Sequence, residues 1–138
     1  MSSEKRREEV VRYWWSKAEE SLLSAQREIA AQSLGFAMNR IYYAAFYAVS
    51  AALLDRHASF KKHSGVRSAF YRELVKSGQL DITWSKFYDR LFEDRQEGDY
   101  LALIDFELDY VKDQLTRCQE FLRTLRPLIS TLSGKLGT

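Results

Sequence analysis

The run from Leu34 to Leu54 constrains this chain more than any other stretch. It is apolar on nearly every side of a helix, and its one charge is Arg40. A helix that is apolar all round is covered by its neighbours, so the remaining segments have to be arranged about it. At its centre stands Asn39-Arg40-Ile41-Tyr42-Tyr43-Ala44-Ala45-Phe46-Tyr47. A guanidinium does not give up its proton, so Arg40 needs acceptors from the chain, from a ligand or from a partner.

Helical spacing divides the run into three lines. Leu34, Met38, Ile41, Ala45, Ala48 and Ala52 make a face of mostly small residues, which lets another helix approach closely. Tyr42, Phe46, Val49 and Leu53 make a bulky face, and Arg40, Tyr43, Tyr47 and Ser50 a polar-tipped line. Buried hydroxyls and guanidinium groups need hydrogen-bond partners. Two readings of the third line stand: a network that locks helix packing, or a cleft for a ligand or RNA.

A first helix is predicted from about Glu4 to Ala31, with Val11, Trp14, Ala18, Leu22, Ala25 and Ile29 on its apolar stripe and Trp15 at the edge. Ser33 is placed to cap the second helix. From Asp55 to Lys62 the helical stripe is lost and a loop is expected. A third helix opens at His63-Ser64-Gly65 and ends near Lys76, with Gly78 just past its end. Lys61, Lys62 and Arg67 gather at its start, where free backbone N–H groups and positive side chains favour an anion. A solvated basic loop is the alternative. His63 titrates near neutrality when unperturbed.

Asp81 or Thr83 can cap a fourth helix, expected from Thr83 to Arg95 with a broad aromatic face. Arg95-Gln96-Glu97-Gly98-Asp99-Tyr100 reads as a polar turn, with Asp99 as the N-cap of a last helix. That helix carries Leu101, Ile104, Leu108, Val111, Leu115, Cys118, Leu122 and Leu125 in clean periodicity, and Pro127 ends it. No strand pattern competes. The expectation is an all-α, up-and-down bundle of about five helices. It would form a single domain over 1–138, with a core at about 4–130 and a frayed tail at 131–138.

Composition removes several classes of function. The chain has 138 residues, 46% hydrophobic and 29% charged, which is globular in character. A formal net charge of +2 is too small to imply a polyanion partner by itself. Cys118 is the lone cysteine, so no disulfide can close within the chain, and its place on an apolar stripe suggests an inert buried thiol. The sequence shows no signal peptide and no charge-free apolar span of membrane length, so a soluble, cytoplasmic protein is expected. There is no glycine-rich phosphate loop, zinc-ligand spacing or nucleophile elbow, and no cofactor is anticipated. Catalysis, if any, would be metal-free acid–base chemistry by Arg, His or Tyr.

Four blocks then carry a resemblance. Tyr13-Trp14-Trp15-Ser16-Lys17-Ala18-Glu19-Glu20-Ser21-Leu22 and Asn39-Arg40-Ile41-Tyr42-Tyr43-Ala44-Ala45-Phe46-Tyr47-Ala48 resemble a HEPN (higher eukaryotes and prokaryotes nucleotide-binding) domain. Lys61-Lys62-His63-Ser64-Gly65-Val66 and Arg95-Gln96-Glu97-Gly98-Asp99-Tyr100 are similar to later blocks of small stand-alone prokaryotic members. The resemblance covers about Glu9 to Arg126. It implies a helical bundle that commonly forms a homodimer, often paired with a minimal nucleotidyltransferase in a toxin–antitoxin-like pair. It also implies binding of nucleotide, RNA or protein, with metal-independent RNA cleavage as the alternative.

Many members cleave RNA through an Arg, four to six residues, then a His, joined across a dimer interface. Here no histidine follows Arg40 at that spacing, and Arg56 and His63 are the pair with six residues between them. His63 and Arg56 are therefore the catalytic candidates. Asn39, Arg40, Tyr43, Tyr47, Lys61, Lys62, Arg95, Asp99 and Tyr100 are the candidates for binding or for the polar network. The resemblance also suggests Asp99 and Glu97 as acceptors for Arg40, and an Arg40–Asp99 charge-assisted bond is expected, with Tyr43 or Tyr100 nearby.

Overall fold

The structure, a computed structural model, describes residues 2–100 and 105–133, with the side chains of 96–100 left out. In chain order it contains α1 (Ser3–Ala30), α2 (Leu34–Asp55), α3 (His63–Phe70), α4 (Ile82–Tyr100), α5 (Leu108–Leu125) and the short α6 (Ser130–Ser133). One π turn, Tyr71–Val75, extends α3, and one 3-10 turn, Arg126–Leu128, joins α5 to α6. No strand occurs among the described residues.

The apolar run is the central helix. Ala44, Ala45, Ala48, Ala51 and Ala52 of α2 are wholly buried, and α1, α3, α4 and α5 all pack on it. Its longest contact is with α1, where Ala18 and Ala25 are also fully buried. Small side chains on both helices let the backbones come close. On the far side, Phe70, Tyr88 and Phe121 tie α3, α4 and α5 together. Ring centroids lie 5.3 Å apart for Phe70–Tyr88 and 5.7 Å for Phe70–Phe121. The Cys118 thiol is fully buried and faces the Ile41 carbonyl oxygen at 3.7 Å; burial pushes its pKa far up, leaving an inert thiol.

The C-terminal segment is fastened to the end of α2 by one carboxylate. Asp55 accepts from the amides of Ser130 and Thr131, each at 3.0 Å, and from both of their hydroxyls. Pro127 sits in the 3-10 turn that ends α5, as a proline without an N–H should. Asp81 starts α4 by accepting from the Thr83 amide at 2.9 Å. Gly78 follows the π turn with φ +90°, the left-handed conformation that glycine takes without strain.

Five expectations are corrected. The tail expected to fray from residue 131 is helical as far as Ser133, with Thr131 and Leu132 buried, because Asp55 holds it. Trp15, expected at the stripe's edge, is 4% exposed, whereas Trp14 is only partly buried. Arg126, from the turn after α5, lies over the Trp15 ring at 5.9 Å. Ser33 occupies the N-cap position of α2 but makes no capping hydrogen bond with its side chain. The turn expected over Arg95 to Tyr100 is helical, so Asp99 is not an N-cap. α5 begins at Leu108, with Glu107 at its N-cap position, instead of near Leu101. Gly98 inside a helix costs about 1 kcal/mol relative to alanine, an amount that tertiary packing readily overrides.

Candidate functional site

The site is built on one face of α2, closed by the first turn of α3 and by α4. Tyr42 is fully buried, and its hydroxyl meets Nδ1 of His63 at 2.8 Å. The Phe46 ring stacks on the His63 ring, with centroids 4.2 Å apart. Spacing of four places Tyr42 and Phe46 on one side of α2, so they grip the imidazole together. From α4, the Arg95 guanidinium lies 5.2 Å from the Tyr42 ring and 5.3 Å from the Tyr43 ring. It also donates to the Tyr43 hydroxyl at 3.0 Å.

Arg40 adds a second guanidinium to the same phenol. It lies 5.6 Å from the Tyr43 ring and donates to Asn39 Oδ1 at 2.7 Å. Tyr47 continues the line, 6.0 Å from Tyr43 between ring centroids. Asn39, Arg40, Tyr43, Tyr47 and Arg95 thus gather along one wall with His63 behind them. Arg40, Tyr43 and Tyr47 are all half-buried, open enough to meet something outside the fold.

The local electrostatics favour a neutral imidazole. Burial lowers the pKa of His63 below its ordinary value of 6.5, and the positive charge of Arg95 lowers it further. Burial pushes the Tyr42 phenol up to about 12, so it keeps its proton at neutral pH.

The other expected residues are distributed differently. Arg56 donates to Gln79 Oε1 at 2.6 Å and, more weakly, to the Leu128 carbonyl oxygen at 3.4 Å. It shares no hydrogen bond or ring contact with His63. Lys61 and Lys62 are exposed, with Lys62 at the N-cap position of α3. Arg67 pairs with Asp89 at 3.2 Å. The expected Arg40–Asp99 bond, and the side chains of Asp99 and Tyr100, lie outside the described residues.

Tyr42, Phe46 and Phe92 were absent from the sequence candidates. Tyr42 and Phe46 read as bulky packing residues, and nothing local links them to a histidine in the next helix. Phe92 reads as part of an aromatic face, yet its ring lies 6.3 Å from Tyr42 and 4.7 Å from the Arg67 guanidinium.

An all-helical bundle with an Arg–Tyr wall at its central helix defines a recognisable class. The profile of the HEPN domain matches residues 11–128. A UPF0332 protein of Thermotoga maritima is 45% identical over 126 residues, covering 91% of this chain and 96% of the relative. A protein of Methanocaldococcus jannaschii named as a candidate toxin is 36% identical, over 83% of this chain and 78% of its own length. A second M. jannaschii protein of that designation is 30% identical, over 60% and 62%. The chain belongs to the HEPN family. No helix among the described residues is long and apolar enough to cross a membrane.

Proposed function

We propose that this protein is the HEPN member of a toxin–antitoxin-like pair, binding nucleotide or RNA along the Asn39–Arg40–Tyr43–Arg95 wall and a minimal nucleotidyltransferase as its protein partner. Arg40 carries the reading. Its bond to Asn39 engages one of five N–H donors, and the remainder meet no acceptor among the described side chains. A half-buried guanidinium beside an open phenol ring suits a phosphate oxygen or a partner's carboxylate. The relatives named as candidate toxins support the pairing. The test is titration of a labelled oligoribonucleotide, alongside co-expression with the minimal nucleotidyltransferase. Arg40→Ala should weaken RNA binding about tenfold, as loss of a charge-assisted bond does. Unchanged affinity, with no complex recovered, overturns the reading.

A homodimer fits the same wall. Phe36 is 70% exposed and lies one turn before Arg40, so a second copy seated there would cover an apolar ring. Phe36→Glu should then yield a monomer on size-exclusion with light scattering.

One observation favours metal-independent RNA cleavage as a second reading. His63 is biased towards its neutral form and held at Nδ1, which leaves Nε2 as the nitrogen to handle a proton, with the Arg95 guanidinium close by. On this reading Arg95 or Arg40 would take the phosphate-stabilising part assigned by spacing to Arg56.

A further inference from the structure

A second opening lies away from the Tyr43 wall, between α4 and α3 with its π turn. It is a groove of about 460 Å³, with Arg67 and Tyr71 on one side and Ile82, Ser85, Lys86 and Asp89 on the other. That volume lies in the range of small-molecule sites. The pairs Arg67/Tyr71, Ile82/Lys86 and Ser85/Asp89 are each four apart, so each pair shares a helix face and points its two members along the groove. The π turn begins at Tyr71, where the Lys76 amide donates to the Tyr71 carbonyl oxygen at 2.7 Å. Such single π turns are uncommon and recur at functional sites.

The chemistry of the walls is mixed in a particular way. Arg67 is held in place by the Phe92 ring and by Asp89 at its Nε, so its terminal nitrogens remain available. Lys86 is exposed and has no ion-pair partner among the described residues. Tyr71 and Ile82 are 43% and 52% exposed, leaving a flat ring and an aliphatic surface open to solvent. Asp89 and the largely buried Ser85 stand between cations and apolar surface. A purely anionic ligand would be repelled by Asp89, and a purely apolar one would waste both cations. The ligand needs an anionic end, a hydroxylated middle and a flat apolar end.

We infer that this groove binds one nucleotide unit, with its phosphate on Arg67 and Lys86, its ribose hydroxyls towards Asp89 and Ser85, and its base against Tyr71 and Ile82. The unit can come from a free mononucleotide or from one residue of an RNA strand. The inference does not depend on the Tyr43 wall.

The experiment is amide-shift NMR titration of the full chain with adenosine monophosphate, adenosine, inorganic phosphate and a short oligoadenylate. The variants are Tyr71→Ala, Lys86→Glu and Arg40→Ala, each with its melting temperature recorded. Shifts at Tyr71, Ser85, Lys86 and Asp89 are expected with adenosine monophosphate or with oligoadenylate. Saturation by the mononucleotide identifies a free-nucleotide site, and saturation by the oligomer alone identifies an RNA subsite. Tyr71→Ala and Lys86→Glu, at exposed positions, should each weaken binding about tenfold without lowering the melting temperature. Arg40→Ala should leave these shifts intact. The inference is overturned if neither nucleotide ligand moves these amides, if phosphate alone binds as tightly, or if both groove variants bind like wild type. Shifts confined to the Tyr43 wall and lost in Arg40→Ala would also overturn it, while leaving the wall's own role standing.

Discussion

The Tyr42 hydroxyl and Nδ1 of His63 are 2.8 Å apart, twenty-one residues apart in sequence, and they join the central helix to the first turn of α3. Burial and Arg95 both act against the imidazolium at this position. The folded-state pKa therefore lies below the unfolded value. The unfolded chain binds the proton more readily, so the stabilising contribution is complete above about 6.5 and is lost as pH falls towards the folded value. A titration of the His63 ring protons by NMR should give a midpoint below 6.5. In Arg95→Ala the midpoint should rise, with burial still keeping it under the ordinary value. A wild-type midpoint at or above the ordinary value would contradict this environment.

A second prediction concerns the C-terminal clasp. Burial of Asp55 works against its ionisation, but hydrogen bonds, led by that from the Thr131 hydroxyl, outweigh burial and hold its pKa below 3.8. The clasp should therefore be intact at neutral pH and weaken in acid, as pH falls through the depressed value. Asp55→Ala should cost about 2 kcal/mol, the scale of hydrogen bonds to a charged group, reduced by the partial exposure of the site. Hydrogen exchange is the discriminating measurement. The amides of Ser130 and Thr131 should lose protection in the variant, while those at the centre of α2 keep theirs.

The small-residue face of α2 makes a third. Ala48 is wholly buried within the tightly packed centre. Ala48→Leu adds three carbon atoms where no space exists, and overpacking of this kind costs typically about 1–3 kcal/mol. The melting temperature should fall by roughly 4–8 °C for each kcal/mol in a domain of about 100 residues, and somewhat less in this longer chain. An unchanged melting temperature would mean that the helices around Ala48 can make room for the larger side chain without penalty.

The parts of this fold that were legible in the sequence are those where one physical signal dominates. The all-round apolarity of the Leu34–Leu54 run identified the central helix, and Gly78 and Pro127 marked ends of elements through backbone chemistry. At the boundary between α4 and α5 two signals in the sequence conflict. Leu101 and Ile104 keep the period of the helix that follows, while Gly98 and Asp99 imitate a turn. In the structure the helix carries through that apparent turn as far as Tyr100, and α5 starts only at Leu108. For the site, Arg40, Tyr43 and Tyr47 share a helical line that spacing alone reveals. The grip of Tyr42 and Phe46 on His63 is tertiary. It depends on how the loop from Arg56 to Lys62 returns α3 to α2, which no local pattern encodes.

The last prediction separates cleavage from binding. Purified protein is incubated with labelled bulk RNA and transfer RNA in EDTA, beside His63→Ala, Arg40→Ala and Arg56→Ala. On the binding reading, intact RNA is recovered from every sample, although Arg40→Ala retains less of it on a filter. On the cleavage reading, wild type cuts the RNA, and His63→Ala abolishes cutting while remaining folded. Arg56 then decides the layout of the site. Its bonds to Gln79 and the Leu128 carbonyl place it at the α2–C-terminal junction, so Arg56→Ala should cut at nearly the wild-type rate and show a lower melting temperature instead. Loss of cutting in Arg56→Ala at full stability would restore the Arg56–His63 pair as the catalytic one. Within one chain the two residues engage separate sets of partners, so that outcome would point to their acting from different protomers.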